Sequence, residues 1–228
     1  MKRLNIFRQR GAVLFIALIM LLVLSLLAIT SMGTVVLETR ITAHRMETSR
    51  LQNLADGALR EGEFRLYGPA YRRDKLEPDI RANCRLDNRL NRFGNNKPCL
   101  LEKMSDSELL SFFRQPVQFF KGNSYRNKYD IRSAAEFDAV TADSVLAWMP
   151  YRGLDWQQGN YFAADERGTT AFWNVYLVQS GTRENEAINP EYGAALSGQG
   201  THFFLITAQV ADRIATQSTL AVIYTGEL

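Results

Sequence analysis

The longest feature of the sequence is an uncharged, mostly apolar stretch near its start. Between Gly11 and Leu37 there is no ionisable side chain, and Glu38 is the first charged residue after Arg10. About 20 apolar residues, at about 1.5 Å each, span the hydrocarbon core of a bilayer as a helix. Backbone amides in lipid must be bonded within the segment. The pattern therefore predicts a membrane-spanning helix over residues 12–37.

The helical pattern continues beyond the apolar stretch. Residues 36–66 contain no proline, and Leu51, Leu54, Ala55 and Ala58 fall on one stripe of the helix. Such a stripe is typical of an amphipathic helix that packs on a folded domain. The charged residues of this segment are expected on the remaining faces: Arg40, Arg45, Arg50, Asp56, Arg60 and Glu61.

The last third of the chain has the period-two pattern of β-strands. Apolar and polar positions alternate in residues 169–179, 202–211 and 216–225. Asp212 and Arg213 form a short connection between the last two segments, which predicts an antiparallel hairpin. With the N-terminal helix, these strands predict an α+β fold in which the helix packs on a C-terminal antiparallel sheet.

The middle of the chain gives weaker signals. A capping box from Ser105 to Glu108 predicts a short helix that ends before Pro116. Residues 133–136 have a similar capping-box pattern and predict a second helix start. Residues 142–149 fit either a helical turn or a strand.

The charges around the apolar stretch indicate its orientation. Four basic residues and no acidic ones precede it: Lys2, Arg3, Arg8 and Arg10. Basic residues favour the cytoplasmic side, so we expect a single span with the C-terminal domain on the far side. A cleaved secretory signal usually has an apolar region of about 7 to 15 residues, which is shorter than this one.

Composition limits the remaining possibilities. The chain has 228 residues, 46% hydrophobic and 22% charged, which excludes disordered and collagen-like classes. Its net charge is +3, from 27 basic and 24 acidic residues; without residues 1–11 the balance is 23 to 24, or −1. The basic excess therefore belongs to the N-terminal flank, and no nucleic-acid partner is indicated.

Catalytic and metal-binding motifs are missing from the sequence. It has two histidines, His44 and His202, and none of the common nucleophile, phosphate-binding or zinc-protease motifs. Residues 155–160 could hold calcium in an irregular loop, although their spacing is not that of an EF-hand. We therefore expect no enzyme, no cofactor and no metal.

The N-terminal region resembles the type IV pilin superfamily. The likeness rests on the basic leader MKRLNIFRQR, the Gly11-Ala12 junction directly before the apolar stretch, and the continued helix LQNLADGALREGE. Over residues 1–65 it looks most like the PilX-type minor pilins. The remaining chain is compatible with a pilin head in general layout only.

The resemblance implies a division into three segments. Residues 1–11 would be a prepilin leader, residues 12–37 the transmembrane half of the helix, and residues 38–228 a periplasmic pilin-like head that includes the amphipathic half, 38–67. Prepilin peptidase would cut between Gly11 and Ala12, and the new amine of Ala12 would be N-methylated.

Two residues of the apolar stretch bear on assembly. Most pilins carry a glutamate at the fifth residue after the cut, which neutralises the terminal amine of the subunit ahead; here that residue is Ile16. A subunit without this carboxylate is suited to a first, tip-most position, because a lone charge in an apolar core is costly. Gly33 lies where related pilins often carry a helix-breaking proline, so it could let the helix unwind or could pack against neighbouring helices.

Cys84 and Cys99 are the only cysteines. A periplasmic domain lies in an oxidising compartment, which favours a disulfide over free thiols or a metal pair. A zinc site usually has four ligands, and no further cysteine or nearby histidine completes one.

The resemblance implies a structural, non-enzymatic function. The protein would be an inner-membrane minor pilin that joins other minor pilins and the major pilin, primes filament assembly at the assembly platform, and links to a PilY-type tip adhesin in adhesion and twitching motility. One alternative is a K-type minor pseudopilin of a type II secretion system. Another, of a different class, is a membrane-anchored periplasmic enzyme.

Overall fold

The computed structural model describes residues 10–67, 75–76, 79–88, 96–153, 168–180 and 200–224. The chain forms two compact units, one that ends at Ser49 and one that begins at Arg50. The expected α+β class is confirmed, since a long N-terminal helix is followed by a four-stranded antiparallel sheet. The leader up to residue 9 and the candidate calcium loop at 155–160 lie outside the described residues.

The sheet contains three long strands and one short one. Strands β1 (Met149–Pro150), β2 (Ala171–Ser180), β3 (Gly200–Val210) and β4 (Ile214–Tyr224) lie in that order, each antiparallel to its neighbour. The expected hairpin between β3 and β4 is confirmed, and the three long strands start and end within two residues of their predicted bounds. Strand β1 lies at the end of residues 142–149, where the sequence left a helical turn or a strand open, because two residues are too few to show a period.

Helix α1 runs from Arg10 to Phe64. In the second unit its stripe enters the core: Leu51, Ala55 and Ala58 are buried and Leu54 is half-buried. Apolar residues of β2 and β3 belong to the same core. The helix is therefore held on the sheet by burial of apolar surface.

Several short helices follow α1 along the chain and precede the first strand. These are α2 (Ile80–Asn83), α3 (Asp106–Arg114), α4 (Pro116–Phe119) and two 3-10 helices, Asn123–Tyr125 and Ala134–Ala139. The capping box at Ser105 is confirmed, and α3 ends before Pro116 as expected. The second predicted helix start, at residues 133–136, has no capping box. The Ser133 side chain makes no capping bond, and Glu136 instead accepts a hydrogen bond from the backbone N of Arg132 at 2.8 Å.

An aromatic cluster forms the core under α3 and α4. Phe120 lies at its centre, with ring centroids 5.5 Å from Phe112, 5.4 Å from Tyr129 and 5.9 Å from Trp148. Tilted and edge-on ring pairs at this separation add to the stabilisation that burial gives.

Cys84 and Cys99 form a disulfide and are both fully buried. Next to the disulfide, residues 99–101 bond to strand β2. Val175 N donates to Cys99 O at 3.1 Å, and Leu101 N donates to Val175 O at 2.8 Å. The bridge therefore ties the region after α1 to strand β2.

Candidate membrane and assembly segment

In the first unit, helix α1 has an exposed surface over most of its described length. Every described side chain from Ala12 to Met46 is exposed, although most are large and apolar up to Leu37. The helix is long and apolar enough to cross a membrane, with a mean hydropathy of 3.2 over its most apolar window. Exposed apolar surface of this extent is typical of a segment that contacts lipid or other helices.

The predicted processing junction lies in the first turn of the helix. Because α1 begins at Arg10, both Gly11 and Ala12 have helical backbone. Four residues beyond Ala12, Ile16 is 56% exposed and presents an aliphatic side chain where the resemblance would place a carboxylate. The first turn holds no acidic residue. An amine at Ala12 would therefore have no carboxylate of its own helix beside it.

Two hydroxyl groups within the segment, those of Ser25 and Thr30, are bonded to the helix itself. Ser25 Oγ donates to Leu21 O at 2.7 Å, and Thr30 Oγ1 donates to Leu27 O at 2.9 Å. Such internal bonds let serine and threonine lie in an apolar surrounding without an unpaired donor. At Gly33 the helix is continuous, and a Cβ added there would meet no atom within 4 Å.

A buried ion pair lies at the other end of α1. Glu61, expected on the charged face, is fully buried, and Arg65 is 1% exposed. Glu61 Oε1 lies 3.2 Å from Arg65 Nη2, and Glu61 Oε2 accepts a hydrogen bond from the backbone N of Arg152 at 2.8 Å. The Arg65 guanidinium lies over the ring of Trp173, 5.2 Å from its centroid.

Asn88 connects this pair to the chain beyond the helix. Arg65 Nη1 donates to Asn88 Oδ1 at 2.9 Å, and Arg152 Nη1 donates to Asn88 O at 3.3 Å. Asn88 Nδ2 in turn donates to Lys97 O at 3.1 Å. The cluster therefore fastens the end of α1 to the loop closed by the disulfide and to the residues after β1.

Burial dominates the electrostatics of the cluster. It raises the pKa of the Glu61 carboxyl, whereas the Arg65 guanidinium and the backbone N–H of Arg152 act in the opposite direction. Two guanidinium groups and one carboxylate, all engaged in hydrogen bonds, hold these elements together. Sequence reasoning missed this role, although the i, i+4 spacing of Glu61 and Arg65 was visible.

Among the residues that the structure describes, no group of three histidine, cysteine, aspartate or glutamate side chains could hold a metal ion. His44 lies on the exposed part of α1, and His202 is buried in β3 beside the ring of Tyr224.

Comparison with known proteins identifies the N-terminal part of the chain. Residues 10–60 match the family model described as PilX N-terminal, which confirms the resemblance to a PilX-type pilin N-terminus. The match covers 51 of 228 residues and supports a type IV pilus minor pilin. No curated protein and no solved structure matches the chain.

Proposed function

We propose that this chain is a minor pilin of a type IV pilus that takes the first, tip-most position in the complex that primes pilus assembly. The observation that carries the proposal is the exposed, uncharged stretch of α1 that follows the Gly11-Ala12 junction, within the segment that matches PilX. The N-terminus is cytoplasmic in the inner membrane, and the head is periplasmic until the subunit enters the pilus.

The tip position follows from the chemistry of Ile16. In an assembled bundle of apolar helices, a terminal ammonium needs a carboxylate from the next subunit, because an unpaired charge there costs several kcal/mol. This chain supplies an amine at Ala12 and, at Ile16, no carboxylate. It can therefore be followed by another subunit but has no means to neutralise one ahead of it.

The mature N-terminus tests the pilin pathway. Mass spectrometry of the chain from cells that contain prepilin peptidase should give a first residue of N-methylated Ala12. Gly11→Glu should leave the leader attached, whereas the control Gly33→Ala, a glycine in the same helix, should be cut normally. An intact Met1, or a cut near Ala28, would contradict the proposal.

The tip position has a separate test. Ile16→Glu restores the carboxylate, so labelled subunits should appear along the filament and not only at its tip. Ala17→Glu places the same charge about 100° further round the helix and should not have this effect. Confinement of the Ile16→Glu subunits to the tip would show that the charge argument is wrong.

The partners proposed for this position are the other minor pilins, the major pilin, the assembly platform and a PilY-type tip adhesin. Their proposed functional outcome is adhesion and twitching motility. A K-type minor pseudopilin would share the N-terminal features, since the missing carboxylate suits the first subunit of either filament. Deletion should abolish twitching for a pilin, and release of secreted proteins for a pseudopilin.

A further inference from the structure

Strand β4 forms an open edge of the sheet. The strand order ends with β4, and no described strand pairs with its outer side. Its register with β3 is regular over 11 residues, from Ile214 to Tyr224. Eleven residues is long for an unprotected edge, since edge strands are usually short or interrupted.

The direction of the hydrogen bonds shows which groups of β4 are unpaired. Val175 of β2 bonds to residues 99 and 101, away from β3, so the opposing Ile206 bonds toward β4. Ile206 faces Ser218, and backbone groups alternate in direction along a strand. The N–H and C=O groups of the odd-numbered residues therefore point to the open edge: Ala215, Gln217, Thr219, Ala221 and Ile223.

This edge lacks the features that normally prevent pairing with another chain. The sequence of β4, IATQSTLAVIY, contains no charged residue, proline or glycine. Toward its end Thr219 and Ala221 are exposed, and Ile223 is 69% exposed. Natural sheets protect such edges with lysine, proline or a bulge, so an uncharged, regular edge is a template for strand addition.

A groove beside this edge carries positive charge. It has a volume of about 370 Å³ and lies between the α3–α4 corner and β4, lined by Phe113, Arg114, Gln115, Pro116, Val117, Gln118, Arg213, Ala215 and Gln217. The lining contains two arginines and no acidic residue. Arg114 and Arg213 are exposed, and neither has an ion-pair partner among the described residues.

We propose that β4 is a docking edge for an extended, acidic segment of a partner protein, which adds a strand to the sheet. Alternate side chains of the added strand lie on the same face as Ala215 and Gln217, which line the arginine-containing groove. Backbone pairing supplies affinity, and Arg114 and Arg213 select acidic side chains. The inference rests on the head alone and stands independently of the proposed function.

Hydrogen exchange of the full chain in detergent micelles tests the edge directly. In the free protein, the amides of Gln217, Thr219 and Ala221 should exchange fast, and those of Ser218 and Leu220 slowly. Protection of the odd-numbered amides in the free chain at low concentration would mean that its own residues cover the edge. Protection that grows with protein concentration would identify a second copy as the occupant. Either result overturns the proposal.

Two peptide libraries test the chemistry of the partner. Both contain peptides of about nine residues, a usual strand length, with glutamate at alternate positions in one and lysine there in the other. The glutamate library should bind and should slow exchange of the odd-numbered amides. N-methylation of alternate peptide amides, which prevents strand pairing without altering the protein, should abolish binding. Equal binding of the lysine library, or binding that N-methylation leaves unchanged, would overturn the proposal.

Charge reversal on the protein completes the experiment. Arg114→Glu with Arg213→Glu should weaken binding of the glutamate peptides on the order of tenfold, or about 1.4 kcal/mol, because exposed ion pairs each contribute modestly. Arg126→Glu is the matched control, because Arg126 is exposed and does not line the groove. Equal losses in the double variant and the control would show that the groove does not select the charge.

Discussion

Gly62 of α1 contacts Ile206 of β3 so closely that a Cβ on Gly62 would lie 2.7 Å from Ile206 Cγ2. The same Cβ would be 3.4 Å from Trp173 Cε3. Neither neighbour can move easily, because the Ile206 methyl sits on a branched Cβ and the Trp173 ring is fully buried. The glycine therefore sets how closely the helix approaches the sheet.

Gly62→Ala should destabilise the head. Alanine favours the helix by about 1 kcal/mol, but overpacking of a close contact usually costs about 1–3 kcal/mol. We therefore expect the free energy of unfolding to fall by up to about 2 kcal/mol, measured by denaturant unfolding in detergent.

Gly57→Ala is the matched control on the same helix. Its Cβ would lie 3.1 Å from the Tyr151 hydroxyl, the far end of a side chain that can move aside. Its stability should stay within about 1 kcal/mol of wild type. Equal losses in the two variants would contradict the close-approach role of Gly62.

Glu61→Gln should be among the most damaging single changes in the head. It leaves the Arg65 guanidinium buried without its carboxylate, and removal of one partner from a buried pair usually costs about 3–5 kcal/mol. Denaturant unfolding of the full chain measures the loss.

The double variant Glu61→Leu with Arg65→Leu is the control for this pair. It removes both charges and should recover part of the stability, since an apolar pair of similar size often replaces a buried ion pair at little cost. If the double variant loses as much free energy of unfolding as the single variants Glu61→Leu and Arg65→Leu lose together, the two side chains act independently.

Elements with a clear local signal could be predicted from the sequence. The three long strands have alternating patterns, and α3 has its own capping box, so neighbouring residues suffice to define them. Glu61 is different, because its burial depends on Arg152, 91 residues further along the chain. No helical pattern reveals such a partner, and the expected exposed position was therefore wrong.

The apolar half of α1 was predictable for a related reason. Its properties depend on the order of residues 11–37, namely a small-residue junction, an uncharged span and an aliphatic Ile16. The groove at the open edge of β4 was not predictable, because Arg114 and Arg213 come together only once the α3–α4 corner packs beside β4.

The capping box of α3 should make the head sensitive to acid. Glu108 Oε2 accepts hydrogen bonds from the backbone N and Oγ of Ser105, both at 2.8 Å, and these bonds lower the pKa of Glu108. A carboxyl whose pKa is lower in the folded state stabilises the fold above its unfolded pKa of about 4.3 and loses that effect as the pH falls.

Glu108→Gln should therefore reduce stability at pH 7, and its difference from wild type should disappear only once the pH falls below the lowered pKa of Glu108, where the carboxyl is itself protonated. The difference should be well under 1 kcal/mol because the carboxylate is exposed to water. Denaturant unfolding across this pH range measures it, with Glu63→Gln as a carboxylate control outside the box. A difference between Glu108→Gln and wild type that stays constant with pH would contradict the assigned role.

The disulfide should stabilise the head chiefly through the unfolded chain. Cys84 and Cys99 are 15 residues apart, and closing a loop of this size contributes about 3 kcal/mol by restricting the unfolded state. Cys84→Ala with Cys99→Ala should lower the free energy of unfolding by about that amount. Wild type that is unfolded, reduced and refolded with reductant should lose as much, because the same loop is then open. If the reduced protein keeps full stability while the alanine variant does not, the loss arises from packing of the buried sulfur atoms and not from the closed loop.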